Sequence, residues 1–300
     1  MTRVDHSNTM STTTRSDLIL PEIIAEEVMK GFSGKLALAG TGAVIVNPTF
    51  ALGTNRVNDT ITVPSIEDGG EAEVLTESVA GDLEKITMSS ETSTVVRFFK
   101  GFSMTQLSQR AKMYGKDINE IAAEMIASAF ARAIDTLSLQ RALARASSAS
   151  MEYDGTAAII STTAIVETLK LFGEELDDSQ LAVWAINPKP YWDAAQIADS
   201  TGRTLYTDVQ GGRLTQLGGA PVRMTAKSDM VVAGSPTTYK SLLAKRGSIL
   251  AWLDPSVRID TERDPLSDVD VVIGNMYGIV HAYSVMPGGT KAGVAVLKSR

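Results

Sequence analysis

Three hundred residues, 44% of them hydrophobic and 21% charged, suffice for a sizeable core in one or two domains. A net charge of −7 argues against a protein that grips nucleic acid by its phosphates, which takes a concentrated basic surface. The chain has no cysteine, which excludes disulfides, a thiol nucleophile and thiolate metal sites, and no apolar run reaches the roughly 18 residues that span a bilayer.

Residues Met1 to Asp17 are polar, rich in Ser and Thr, and read as a flexible arm. They lack the apolar centre of a signal peptide, so the expected place of synthesis is the cytosol. Leu18 to Phe32, with Pro21 at its start and Gly31 near its end, predicts a short helix. The segment KGFSGKLAL does not make a phosphate-binding loop. Only two residues separate Gly31 from Gly34, and Leu36 stands where a Ser or Thr should follow Lys35.

From Asp59 the pattern becomes extended. Ile61, Val63 and Pro64 form a short strand, Glu67, Asp68, Gly69, Gly70 and Glu71 an acidic turn, and Val74 to Thr76 resumes extension. Between Lys85 and Thr105, Ile86, Met88, Val96, Phe98, Phe102 and Met104 share one parity, the signature of a half-buried strand. Its middle, Ser89 to Thr94, is polar on both faces and is expected to pack against no ordinary core. Run straight, the stretch from Ile86 to Met104 would extend about 60 Å, and an isolated two-stranded ribbon is marginal in water. The expectation is a hairpin that projects and lies on another copy of the chain. The alternative is a long strand inside a β-sandwich.

The segment DINEIAAEMIASAFARAIDTLSLQRALARA, Asp117 to Ala146, is dominated by strong helix formers and contains neither Gly nor Pro. Asp117 and Glu120 have the spacing of a capping box. At 100° per residue Ile118, Ile121, Ala122, Met125, Ile126, Ala129, Phe130, Ala133 and Leu137 form one apolar arc, with Glu120, Glu124, Ser128, Asp135 and Ser138 opposite. The expected product is a rod of roughly 45 Å with one buried face and one wet face.

Ala149 to Gly155 reads as a linker. Thr162 or Thr163 is expected to cap a helix that stops at Gly173, and Leu181 to Ile186 to form a buried strand ended by Asn187-Pro188. Tyr191 to Ile197 predicts a short helix, and Val222 to Thr225 and Met230 to Ala233 predict strands. Further strands are expected over Leu250 to Leu253, Val257 to Ile259, Val269 to Ile273, Tyr277 to Val285 and Val294 to Leu297, with Gly274 and Gly278 as breaks. The middle region therefore reads as an insertion, with the final strands returning to the first region and the rod.

This order of parts resembles the major capsid proteins of tailed bacteriophages, whose fold encapsulins share. The polar arm, the acidic hairpin, the strand through Gly101-Phe102-Ser103-Met104 and the long helix come first. Then VWAINPKPYWDA, DSTGRTLY, GGRLTQLGGAPVRMT and GIVHAYSV look like the recurrent Trp-Asn-Pro, Asp-x-x-Gly, Leu-Gly-Gly-x-Pro-Val and final-strand patterns of that family, over roughly residues 20 to 297. The resemblance implies an α+β fold with a long spine helix, a β-rich peripheral domain, an extended β-hairpin loop and an inserted α/β axial domain. On this chain it implies an N-terminal arm and short helix at 1–58, the extended loop at 59–96, a peripheral domain at 97–160 with the spine at 117–146, the axial domain at 161–245, and a return to the peripheral domain at 246–300. Gly69 and Gly70 would lie in the extended loop, and Trp184, Asn187 and Pro188 in the axial domain.

By the same resemblance the chain would self-assemble into pentamers and hexamers of an icosahedral phage head around double-stranded DNA. It would be found in the virion, and in the host cytoplasm during assembly. Its partners would be further copies of itself, neighbouring capsomers reached by loop and arm, a portal, separate scaffold or decoration proteins, and packaged DNA without sequence-specific binding, but no membrane. Without room for a cleaved N-terminal scaffold domain, the expectation is that any scaffold is a separate protein. Lys85 is the only lysine in the loop, and no cross-link is predicted for it. An encapsulin-type nanocompartment shell and an α+β enzyme are the alternatives.

Enzyme chemistry finds no support in the sequence. His6 and His281 are the only histidines, neither with a second ligand at metal spacing, and His281 reads as an ordinary strand position. No nucleophile elbow is present. Glu67, Asp68, Glu71, Glu73 and Glu77 do not match a calcium loop, and Asp260, Glu262, Asp264, Asp268 and Asp270 form a similar acidic group. These acids are candidates for pairing across subunits with Lys227, Lys245 or Arg246. No catalytic, cofactor-binding or metal residue and no cofactor is predicted.

Overall fold

The computed structural model describes residues 38–47, 60–66, 88–105, 118–198, 204, 214–254, 258–264, 269–287 and 289–300. The expected arm, the helix at 18–32, the acidic turn at 67–71, the extension at 74–76 and the capping residue Asp117 lie outside them. The chain divides into two compact units, one of residues 1–32, 99–130 and 256–276, the other of residues 33–98, 131–255 and 277–300.

The second unit is built on a seven-stranded sheet. Its strands are β5 (Glu152–Gly155), β6 (Leu181–Ile186), β7 (Gln216–Leu217), β8 (Ala220–Met224), β9 (Val231–Val232), β10 (Thr238–Lys245) and β14 (Val294–Ser299). They run in the order β5-β14-β10-β6-β8-β7, with β9 also on β10. The central strands are buried on both faces, which is why β6 reads LAVWAI without alternation and all six of its residues are buried. Strand β10, at the middle of the sheet, is absent from the sequence expectations, because Lys240, Ser241 and Lys245 interrupt its apolar run. The closing strand β14 pairs with β10 and β5 in this sheet and not with the strands immediately before it in sequence.

Helix α2 (Thr162–Lys170) contacts β14 and β5. Its cap is Ser161, whose Oγ accepts from the Ala164 N–H at 3.3 Å, and not Thr162 or Thr163. Helix α3 (Pro188–Ala195) starts three residues earlier than expected, because Asn187 caps it and Pro188 takes the first helical position. The expected linker at 149–155 is partly β5, and Ser150 makes the turn before it with a positive φ of 57°.

The same unit holds β1 (Val44–Asn47), parallel to β11 (Ile249–Leu253), which is antiparallel to the end of β13 (Val269–Ala282). In the first unit β12 (Arg258–Asp264) pairs with the start of β13. Strand β13 is therefore continuous through Gly274 and Gly278, which were expected to break it. Both glycines answer to close packing. A Cβ on Gly274 would lie 2.7 Å from Ile126 Cγ2, and one on Gly278 would lie 2.8 Å from Leu253 Cδ2.

Helix α1 (Ile118–Ser148) is the predicted rod, 31 residues long. Its buried surface departs from the fixed arc. Ala122, Ile126, Phe130, Ile134, Ser138, Ala142 and Ala146 are all buried, and so are Ala127, Ala131, Asp135, Leu139 and Leu143. Both rows step by four residues, so the covered stripe follows two neighbouring ridges that wind about the axis. Met125, placed on the apolar arc by a strict 100° repeat, is 50% exposed, whereas Asp135 and Ser138, placed on the wet face, are buried.

Candidate functional site

The hairpin consists of β2 (Thr60–Ile66) and β3 (Met88–Thr94), which pair antiparallel over seven residues from Thr60↔Thr94 to Ile66↔Met88. It forms a two-stranded sheet of its own. The chain leaves it at Val95 and enters β4 (Val96–Thr105), which pairs with β13, so the predicted nineteen-residue strand is two strands in two sheets. Pro64 faces Ser90 in the ladder, a position that a narrow ribbon tolerates although proline donates no hydrogen bond.

The polar middle of the ribbon is not bare on both sides, which corrects the sequence expectation. Thr60, Thr62, Ser90, Thr92 and Thr94 are exposed, while Val63 and Ser93 are buried. The polar groups on the covered side find partners in their own chain. Ser93 Oγ donates to the Val280 carbonyl at 3.4 Å. Glu91, two residue pairs further along the ribbon, is held by two donors. Arg145 on α1 donates through Nη2 to Glu91 Oε2 and through Nε to the Ala282 carbonyl at 2.9 Å, and the Ser284 N–H donates to Glu91 Oε1 at 3.1 Å.

His281 completes this cluster. It lies on β13 opposite Leu250, 4% exposed, with Nε2 at 3.2 Å from Glu91 Oε2 and its ring edge-on to Tyr283 at 5.4 Å between centroids. The short separation does not satisfy hydrogen-bond geometry, so Nε2 has no bonded partner. Burial pushes the imidazole below its ordinary value; the Glu91 carboxylate opposes that shift, and Arg145 and Arg141 add to it. Burial, with Glu91 beside it, raises the Tyr283 phenol. His281 is the strand residue that its alternation predicts, but its neighbour Glu91 was not foreseeable. The two lie far apart in sequence, and no motif joins them.

A second anchor uses the face of α1 that was expected to be wet. Asp135 accepts from the Leu38 N–H at 3.0 Å through Oδ1 and from Lys227 Nζ through Oδ2. One turn further, Gln140 Nε2 donates to Asp229 Oδ1 at 3.0 Å. Lys245, 2% exposed, donates to the Glu175 carbonyl at 2.7 Å and lies 4.8 Å above the Phe172 ring. Two of the three cations proposed for pairing across subunits are thus engaged within the chain, which leaves Arg246 of that set. Among the described residues no group of three or more His, Cys, Asp and Glu side chains is gathered as metal ligands would be.

In fold the chain is similar to a solved structure of Microbacterium phage Oxtober96, at a TM-score of 0.64 and 13% identity over 100% of this chain and 96% of that one. It is similar to the capsid of an empty GTA particle computed with C5 symmetry, at 0.61 and 14% over 99% and 95%. The capsid structure of the cyanophage P-SCSP1u gives 0.58 and 10% over 86% of each chain. No family model and no curated protein matches the sequence.

Proposed function

We propose, from the premise that this chain has the fold of phage capsid proteins, that it is a major capsid protein which assembles with copies of itself into the shell of a phage head. The observation that carries this reading is the likeness over the whole chain: 100% of it aligns with 96% of the Oxtober96 chain at a TM-score of 0.64. The order of hairpin, 31-residue helix and inserted sheet supports it too, since these parts succeed one another as the sequence resemblance implies. In this reading α1 is the spine, residues 59–96 the extended loop, 161–245 the axial domain, whose sheet also takes in β5 and β14, and the remainder of 97–160 and 246–300 the peripheral domain.

The copies group into pentamers and hexamers, and the GTA neighbour, computed with C5 symmetry, supports five-fold grouping. Beyond its anchored side the ribbon presents a row of exposed Thr and Ser, a surface that a neighbouring copy can cover by hydrogen bonding. Shell contacts of this kind need not be strong singly, because a subunit held at several sites binds multivalently. The net charge of −7 suits a wall that encloses DNA without gripping it.

Electron microscopy of the overexpressed full chain tests the proposal. Closed particles, tubes or rings of five or six copies are the expected product. A chain that stays monomeric at high concentration, alone and with the other head proteins of its genome, overturns it.

A further inference from the structure

We propose that Glu91 and His281 form a proton-operated latch, which holds the root of the hairpin on α1 and β13 near neutral pH and releases it on acidification. The inference concerns the chain itself and does not depend on the shell reading.

The geometry supplies a single point of charge attachment. Among the described residues, the ribbon's one ion-paired side chain is Glu91, which gathers Arg145 from the last turns of α1 and the Ser284 N–H from beyond β13. Arg145 also ties the end of β13 through the Ala282 carbonyl. Among the described side chains, loss of the Glu91 contacts leaves the buried part of the ribbon with Val63 and the long Ser93 bond at 3.4 Å. The charged and titratable groups that face His281 are Glu91 from β3, Arg141 and Arg145 from α1, and Tyr283 from the segment after β13.

With His281 neutral, the Glu91 carboxylate is paired with the Arg145 guanidinium, and Arg141 adds positive charge near the ring. A proton on His281 adds a further cation to this cluster, on a ring that is 4% exposed and has no hydrogen-bonded acceptor at Nε2. Solvation of the new imidazolium requires water to enter, and water enters if β3 parts from β13. The direction follows from linkage. A detached His281 takes up its proton near the ordinary 6.5, whereas the attached one, depressed mainly by burial, takes it up only at lower pH. Attachment is therefore fully favoured above the ordinary value and weakens as pH falls from there toward the depressed one.

Hydrogen exchange in the full-length protein between about pH 7.5 and about pH 5, corrected for the intrinsic rate, tests the latch. Amides of residues 60–66 and 88–94 are expected to lose protection several-fold at the acid end, while those of β6 and β10 keep theirs. H281N, or H281Q if the first does not fold, keeps the neutral-pH protection and abolishes the acid loss. E91Q lowers protection of the ribbon at both ends of the range. Unchanged ribbon protection in the parent, or an equal acid loss in the His281 variants, overturns the proposal. Because His6 is the only other histidine, the imidazole resonance that remains in H6Q reports His281 directly, and titration at or above the ordinary value also overturns it.

Discussion

Glu91 and Arg145 are 54 residues apart in sequence and meet in one ion pair at the root of the hairpin, where the same guanidinium also holds the Ala282 carbonyl. The pair is partly covered, with side-chain exposures of 18% and 27%, so its worth lies between that of a surface bridge and a buried one. Glu91→Ala leaves both the guanidinium and the Ser284 N–H without their acceptor. It is expected to cost about 1–3 kcal/mol, read as a lower denaturation midpoint. In a double-mutant cycle with Arg145→Met the two losses should fall short of adding, because either change removes the same contact. Strict additivity would show that the pair contributes nothing.

Asp135 joins three separate stretches of chain, since it bonds Leu38 N–H and Lys227 from the middle of α1. Asp135→Asn keeps an acceptor for the Leu38 amide but takes the charge from Lys227, whereas Asp135→Ala removes both. The alanine variant is expected to lose about 2–4 kcal/mol and the asparagine variant roughly half as much, measured by urea unfolding at neutral pH. Equal losses would mean that the Leu38 bond is immaterial.

These two anchors also show where a single sequence stops being informative. The rod, β6 and β14 were legible because each is a run whose composition agrees with its state, and β2 because Ile61 and Val63 alternate with threonines. The buried face of α1 was not legible, because a 100° repeat assumes a straight stripe and the real one follows rows spaced by four. Asp135 is polar, so any hydropathy argument sends it outward. Only the arrival of Leu38 and Lys227 from elsewhere in the chain makes its burial favourable. Strand β10 was hidden by Lys245, whose ammonium is satisfied by Glu175 and Phe172, both distant in sequence. The candidate site failed for the same reason: Glu91, Arg145 and His281 are ordinary singly, and their meaning is their proximity.

Lys245 supplies a test of that buried charge. Its ammonium lies 3.6 Å from Glu175 Oε2, and burial holds its proton affinity below the ordinary range, with Glu175 opposing the shift. Near neutral pH the lysine is charged in both folded and unfolded chains, so its desolvation penalty is fully present. That penalty is relieved as pH rises through the depressed value toward the ordinary 10.5. Lys245→Met, which keeps the length of the stem, is expected to match or exceed the parent in stability to within about 1 kcal/mol at neutral pH. Glu175→Gln weakens the bonds from the Thr290 N–H and Oγ as well and should be destabilising. Urea midpoints for the two variants decide the matter, and a strongly destabilised Lys245→Met would show that the ion pair outweighs the penalty.

Gly274 sits in the middle of β13, where a methyl group would lie 2.7 Å from Ile126 Cγ2 and 3.2 Å from Phe130 Cζ on α1. Its backbone is not in the left-handed region, so the objection to a side chain is purely one of space. The nearest atom is a β-branched methyl that cannot swing aside, because both χ1 and the helix backbone hold it. Gly274→Ala is therefore expected to destabilise by about 1–3 kcal/mol, although glycine to alanine in a strand would gain stability on backbone entropy alone. The added change Ile126→Ala opens the space and should recover part of the loss relative to Ile126→Ala by itself. Thermal unfolding of the three variants separates the terms: if Gly274→Ala is as destabilising in the Ile126→Ala background as in the parent chain, the close approach of helix and strand is not what requires the glycine.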